Sequence, residues 1–197
     1  MAVLEEIGAA YEAVRIDIVA GENFSPDYKK IHPYGRVPAL KLPDGRAVFE
    51  SAGLVMYLAD RHREAGLAPA PQAPERAAFY QWLLFMADSL YPSYNRFYRC
   101  ERYAASPQAQ AEVRDSAVQT RAEQWQVIEQ TLQDQAWLLG DTFSAADIYL
   151  MMLTTWDEDP EGLAGRCPNV MRAAGAAAER PATARALARH APNDKGP

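Results

Sequence analysis

Two dipeptides have the residue types to hold a small anionic ligand that resembles an amino acid or short peptide: Val37-Pro38 and Glu50-Ser51, both within residues 32–51. A proline opening a strand beside a glycine-containing turn is compatible with a cis peptide bond. Such a bond would turn the N–H and C=O of Val37 outward, where they can pair in antiparallel fashion with an extended peptide. An ordinary trans proline at the start of a strand accounts for the same dipeptide. Ser51 stands where a strand hands over to a helix. Its hydroxyl can cap, and the free N–H groups behind it favour an anion such as an α-carboxylate. Glu50 can take the neighbouring ammonium, so the pair suits an amino-acid head group. A plain helix start with an acid beside the dipole is the structural alternative.

Other groupings point to structure rather than chemistry. Ser144 and Asp147 have the spacing of a capping box, and Phe143 with Ile148 that of a hydrophobic staple. The aromatic run Phe79, Tyr80, Trp82, Phe85, Tyr91, Tyr94, Phe97, Tyr98 and Tyr103 reads as core and interdomain packing. A few of these rings can line an apolar substrate pocket facing the first domain. Cys100 and Cys167 form no CxxC pair, and three histidines (His32, His62, His190) in no ligand spacing argue against zinc. No catalytic and no metal-ligating residue is assigned.

The elements that must position these residues follow from periodicity and turn chemistry. Residues 1–8 read as the tail of an amphipathic helix, with Val3, Leu4 and Ile7 on one face and Gly8 as a stop. Val14, Ile16 and Ile18 alternate with polar or small residues, which predicts a strand over 13–18. A polar loop covers 21–26 and a helical turn 27–31. Short strands at 39–42 and 46–49 are joined by the tight turn Pro43-Asp44-Gly45. A helix spans 51–63. Residues 64–74 are rich in Ala, Gly and Pro and read as a linker. Helices are predicted over 75–103, 107–135, 144–156, 169–179 and 181–190, with no strand pattern among them. The expected organisation is a mixed α/β domain (1–64), a linker (65–74) and an all-helical domain (75–197).

Composition bounds the function. The 197 residues are 49% apolar and 23% charged, ordinary for a globular protein that buries a core. A net charge of −6 argues against nucleic acid as the main partner. The acidic start Met-Ala-Val-Leu-Glu-Glu and the lack of a long apolar run lead us to expect a cytoplasmic protein with no membrane partner.

Taken in order, these motifs resemble the glutathione S-transferase superfamily. The likeness is carried by His-Pro-Tyr-Gly-Arg-Val-Pro-Ala-Leu, Asp-Gly-Arg-Ala-Val-Phe-Glu-Ser, Tyr57-Leu-Ala-Asp60, Leu138-Leu-Gly-Asp-Thr-Phe-Ser-Ala-Ala-Asp147 and Arg180-Pro-Ala. It covers nearly the whole chain, although His32 replaces a usual Asn. The resemblance implies a thioredoxin-like first domain, a helical second domain and a homodimer. It implies that Val37, with Pro38 cis, pairs with the cysteinyl part of glutathione. Glu50 and Ser51 would hold the γ-glutamyl head. Arg36 and, more loosely, Asn23 would touch the ligand. Glutathione would be a co-substrate for conjugation to a small apolar electrophile, with no metal. A non-catalytic glutathione-binding or scaffold module is the alternative, as is a glutathione-dependent disulfide reductase or isomerase. The family's first strand, and the loop bearing its Ser, Tyr or Cys, would precede Met1. We therefore expect an incomplete thioredoxin-like domain, truncated by a misplaced start or shortened sequence, its absent strand lying between 13–18 and 39–42.

Overall fold

The computed structural model describes residues 1–189. It has a small α/β part followed by an all-helical part. Helix α1 (Ala2–Glu6) buries Val3 and stops before Gly8, whose φ of +66° only glycine adopts readily. A 3-10 turn (Glu22–Phe24) leads into α2 (Pro26–Lys29), which Ser25 caps and Pro26 opens. Strands β1 (Ala39–Lys41) and β2 (Ala47–Phe49) pair antiparallel, Leu40 opposite Val48, around the turn carrying Gly45. Helix α3 (Ser51–Arg61) then buries Ala52, Leu54, Leu58 and Ala59 on one face.

The helical part comprises α4 (Glu75–Phe85), α5 (Tyr91–Tyr98), α6 (Pro107–Thr131), α7 (Ala145–Thr154), α8 (Pro160–Arg166), α9 (Pro168–Glu179) and α10 (Pro181–Arg189). Helix α7 is buried on almost every side and forms the centre of this part. One continuous apolar core runs from Val3, Ala52 and Leu58 through Leu67 to Ile148, Leu150 and Val170, so the two parts share packing. Polar contacts reinforce that seam. Arg76, nearly buried, donates to the Asp60 carboxylate (2.6 Å) and the Pro69 carbonyl (2.7 Å). Glu6 of α1 takes a bidentate pair from Arg180 at the start of α10 (2.9 and 2.8 Å). The connecting segment is anchored: Leu67 is buried, and its carbonyl accepts from Ala145 N–H (2.8 Å).

Several expectations need correction. Residues 11–17 form no strand, and Val14 is 70% exposed. Alternation marks a chain able to become a strand, but a strand exists only where its backbone pairs. Among the described residues β1 and β2 pair only with each other. The helix predicted over 75–103 is broken. Pro92 lacks an N–H and its ring crowds the carbonyl four residues back, so the chain widens into a π-helical turn (Met86–Leu90) before α5. Helix α6 ends at Thr131 rather than 135. Helix α8 was not anticipated; Asp159 caps it and Pro160 opens it. The last predicted helix reaches Arg189, and His190 lies outside the described residues.

Candidate functional site

The turn before β1 is built from below. Asn23 is buried, and its Nδ2 donates to the Gly35 carbonyl (2.8 Å). The Tyr28 hydroxyl donates to the Arg36 carbonyl (2.7 Å), and the His32 ring packs against Phe49 with centroids 4.5 Å apart. Gly35 is required twice over. Its φ is +66°, and a Cβ there would sit 2.7 Å from the Asn23 carbonyl oxygen. The Val37-Pro38 bond is cis. Val37 is exposed, and its N–H and C=O make no hydrogen bond to any described residue. A peptide-like ligand can therefore pair with this edge.

The second half of the site is the start of α3. Glu50 has φ 72° and ψ 109°, and is the one non-glycine residue with positive φ among those described. Such a conformation costs on the order of 1–3 kcal/mol and persists where the surroundings impose it, often at ligand clamps. It turns the chain abruptly from β2 into the helix. Leu54 N–H donates to the Glu50 carbonyl (2.8 Å), so the N–H groups of Ser51, Ala52 and Gly53 have no acceptor within the helix. An anion is favoured there, with the exposed Glu50 carboxylate beside it for a cation.

The Ser51 hydroxyl does not cap α3 as expected. Glu50 occupies the capping position and makes no side-chain cap bond, while Ser51 is already helical. Ser51 Oγ instead lies 2.9 Å from the Tyr149 hydroxyl of α7. Burial pushes the Tyr149 phenol up to about 12; Tyr91, Asp88 and Glu50 push the same way, against the Ser51 hydrogen bond. The Tyr91 phenol is also raised by burial, with Arg36 pulling it down and Glu50 pushing it up. Glu50 thus acts on both phenols across the seam, Arg36 on Tyr91 and Asp88 on Tyr149. Tyr91 opens α5 directly after the π turn, and its ring packs edge-on against Trp156 (4.9 Å).

The structure therefore brings Arg36, Val37, Pro38, Glu50 and Ser51 to one rim, while Asn23 faces inward beneath the turn. Sequence reasoning missed Tyr149 and gave Tyr91 no particular place. One signal was available: a tyrosine inside a helix as apolar as Ile148-Tyr149-Leu150-Met151 must find a partner for its hydroxyl. Among the described residues no cluster of three His, Cys, Asp or Glu side chains could hold a metal ion. Cys100 and Cys167 are buried, and burial first, with Glu129, pushes the Cys167 thiol up to about 11. Clefts of about 300 and 370 Å³ lie elsewhere, one lined by Glu5, Tyr11, Arg185 and Arg189, the other by Arg96, Tyr103 and Glu112. The first holds guanidinium groups already committed to Glu5. We place the site at the rim, where unpaired backbone groups converge.

The chain is similar to known proteins over most of its length. The family model described as glutathione S-transferase, N-terminal domain, matches residues 1–61, and that of the C-terminal domain matches 77–181. Glutathione S-transferase F10 of Arabidopsis thaliana is 30% identical over 82% of this chain and 76% of its own length. Glutathione S-transferase GstA of Escherichia coli O157:H7 is 29% identical over 78% of this chain and 73% of its own. The disulfide-bond oxidoreductase YfcG of Escherichia coli K12 is also 29% identical, over 74% and 68%. Among solved structures, a glutathione transferase homolog from Sulfitobacter with bound glutathione superposes with a TM-score of 0.86 at 26% identity, covering 96% of this chain and 90% of that one. A sphingomonad glutathione S-transferase complexed with glutathione gives 0.79 at 28%, covering 95% and 90%.

Proposed function

Because this chain belongs to the glutathione S-transferase family, we propose that its rim binds glutathione and presents the thiol to a small electrophile. One observation carries the reading. The unpaired Val37 backbone and the open N-terminus of α3, flanked by Glu50, lie at the two ends of one short hairpin. That spacing suits a tripeptide held at its middle and at its γ-glutamyl end. Val37 pairs with the cysteinyl unit. The N–H groups and hydroxyl of Ser51 take the α-carboxylate, and Glu50 takes the ammonium. Arg36 adds positive charge on the same side. Asn23 acts through the turn it supports rather than by touching the ligand.

In the conjugation we propose, the glutathione thiol releases its proton to solvent, the thiolate sulfur attacks an electrophilic carbon, an S–C bond forms, and the leaving group departs with its electron pair. Hydrogen-bond donors near the sulfur would favour its thiolate. The electrophile would sit against the aromatic face of the helical part, where Tyr91 and Trp156 meet. Residues 1–64 and 75–197 would act as ligand-binding and substrate-facing units joined by 65–74, in a homodimer located in the cytoplasm. The disulfide-oxidoreductase relative supports a second reading, in which the bound thiol reduces a mixed disulfide. A scaffold that binds glutathione without turnover is the third.

Retention on immobilised glutathione tests the site. Ser51→Ala and Glu50→Ala should each reduce retention, and normal retention of both variants would overturn the assignment. Parallel assays with an aryl halide and a mixed disulfide of glutathione separate the two chemistries. Turnover of neither, with binding intact, would leave the scaffold reading.

A further inference from the structure

We infer that Tyr149 is a positioning residue for the head-group end of this site: its phenol donates to Ser51 Oγ and so aims the serine's own proton at the ligand carboxylate. The inference rests on the glutathione reading above.

The geometry is specific. Tyr149 is 3% exposed in a helix that otherwise presents Ile148, Leu150, Met151 and Leu153 to the core. Its hydroxyl lies 2.9 Å from Ser51 Oγ, 98 positions away in sequence, and makes no other hydrogen bond among the described residues. A buried hydroxyl left unpaired is costly, so the pair orders both side chains before any ligand arrives.

Either oxygen can be the donor in the free protein, but the ligand selects one arrangement. A serine hydroxyl has one proton and two lone pairs. With a carboxylate at the N-terminus of α3, Ser51 must spend its proton on the anion, because a carboxylate only accepts. Tyr149 is then the donor to Ser51. Burial keeps the phenol protonated through the ordinary pH range, so its proton is available for that role. The result is a chain from Tyr149 O–H to Ser51 Oγ–H to carboxylate, in which each bond polarises the next. The helical part thus contributes to glutathione affinity without touching glutathione.

A double-mutant cycle decides it. Glutathione affinity is measured by calorimetry for the parent, Tyr149→Phe, Ser51→Ala and the double variant, with thermal unfolding of each as a check on folding. Tyr149→Phe keeps the ring and removes one oxygen, and should weaken binding about 3- to 10-fold, the range of one net hydrogen bond. KM for glutathione should rise by the same factor while kcat stays within about 2-fold. In the Ser51→Ala background the same substitution should have no further effect, since the partner is gone. The inference is overturned if Tyr149→Phe binds like the parent while Ser51→Ala is weakened. It is equally overturned if the two losses multiply, which marks a structural role independent of Ser51. If Ser51→Ala itself binds normally, the head-group reading fails first.

Discussion

Removing the Asp147 carboxylate should be the most damaging single polar change in the helical part. Its Oδ1 accepts from Leu138 N–H (2.9 Å), and its Oδ2 accepts from Ser144 N–H (2.8 Å) and Ser144 Oγ (3.0 Å). All of these groups are buried. Asp147→Ala strands two backbone donors, each worth about 1–3 kcal/mol when left unpaired, or about 2–6 kcal/mol together. Part of this is offset. Burial pushes the Asp147 carboxyl above its ordinary range despite those bonds, so the charge itself is costly where it sits. The lower half of the range, about 2–4 kcal/mol, is therefore expected, which for a chain of this size corresponds to a fall in Tm of about 4–16 °C. Circular dichroism and tryptophan fluorescence melts should show it together. Helix α7 begins only a few residues before Tyr149, so glutathione affinity should also drop below the transition temperature. A variant melting within about 1 °C of the parent would refute the accounting of buried donors.

Three further outcomes follow from the same geometry. Gly35→Ala forces a side chain into the left-handed region, at a cost of about 1–2 kcal/mol, and against the Asn23 carbonyl 2.7 Å away. It should weaken glutathione binding, and unchanged calorimetric affinity would show that the turn does not position Val37. Burial would raise the Glu6 carboxyl, but the Arg180 guanidinium and Thr183 outweigh it and hold it below 4.5. A depressed carboxyl contributes stability above 4.5 and loses it as pH falls through the lowered value. The parent's advantage over Glu6→Gln in urea midpoint should therefore shrink with acidification, and a pH-independent gap would contradict the ion pair. Cys100 and Cys167 should resist an aromatic disulfide reagent at neutral pH in the native protein and react on unfolding. Rapid native labelling would show that these thiols are reachable.

Much of the site was legible because it rests on local chemistry. A proline and glycine fix the turn at 35–38, Pro43-Asp44-Gly45 closes the hairpin, and Glu50-Ser51 marks a helix start. The capping box at Ser144 and Asp147 is likewise a three-residue relation. What failed was non-local. The predicted strand at 13–18 has the right alternation but joins no sheet among the described residues. The 75–103 helix reads as continuous in its apolar pattern, yet it widens into a π turn just before Pro92 and ends at Tyr98.

The boundary between the two sources of information falls at Ser51. Its residue type and its place between strand and helix suffice to propose an anion site, because the free N–H groups of a helix start are set by chain connectivity alone. Where its hydroxyl points is decided by Tyr149, brought there by the packing of α7 against α3. Asp60 is recognisable as part of a motif, but only the fold supplies Arg76. Hydrogen bonds within a turn are written in neighbouring residues; those across a core depend on which faces the apolar side chains press together.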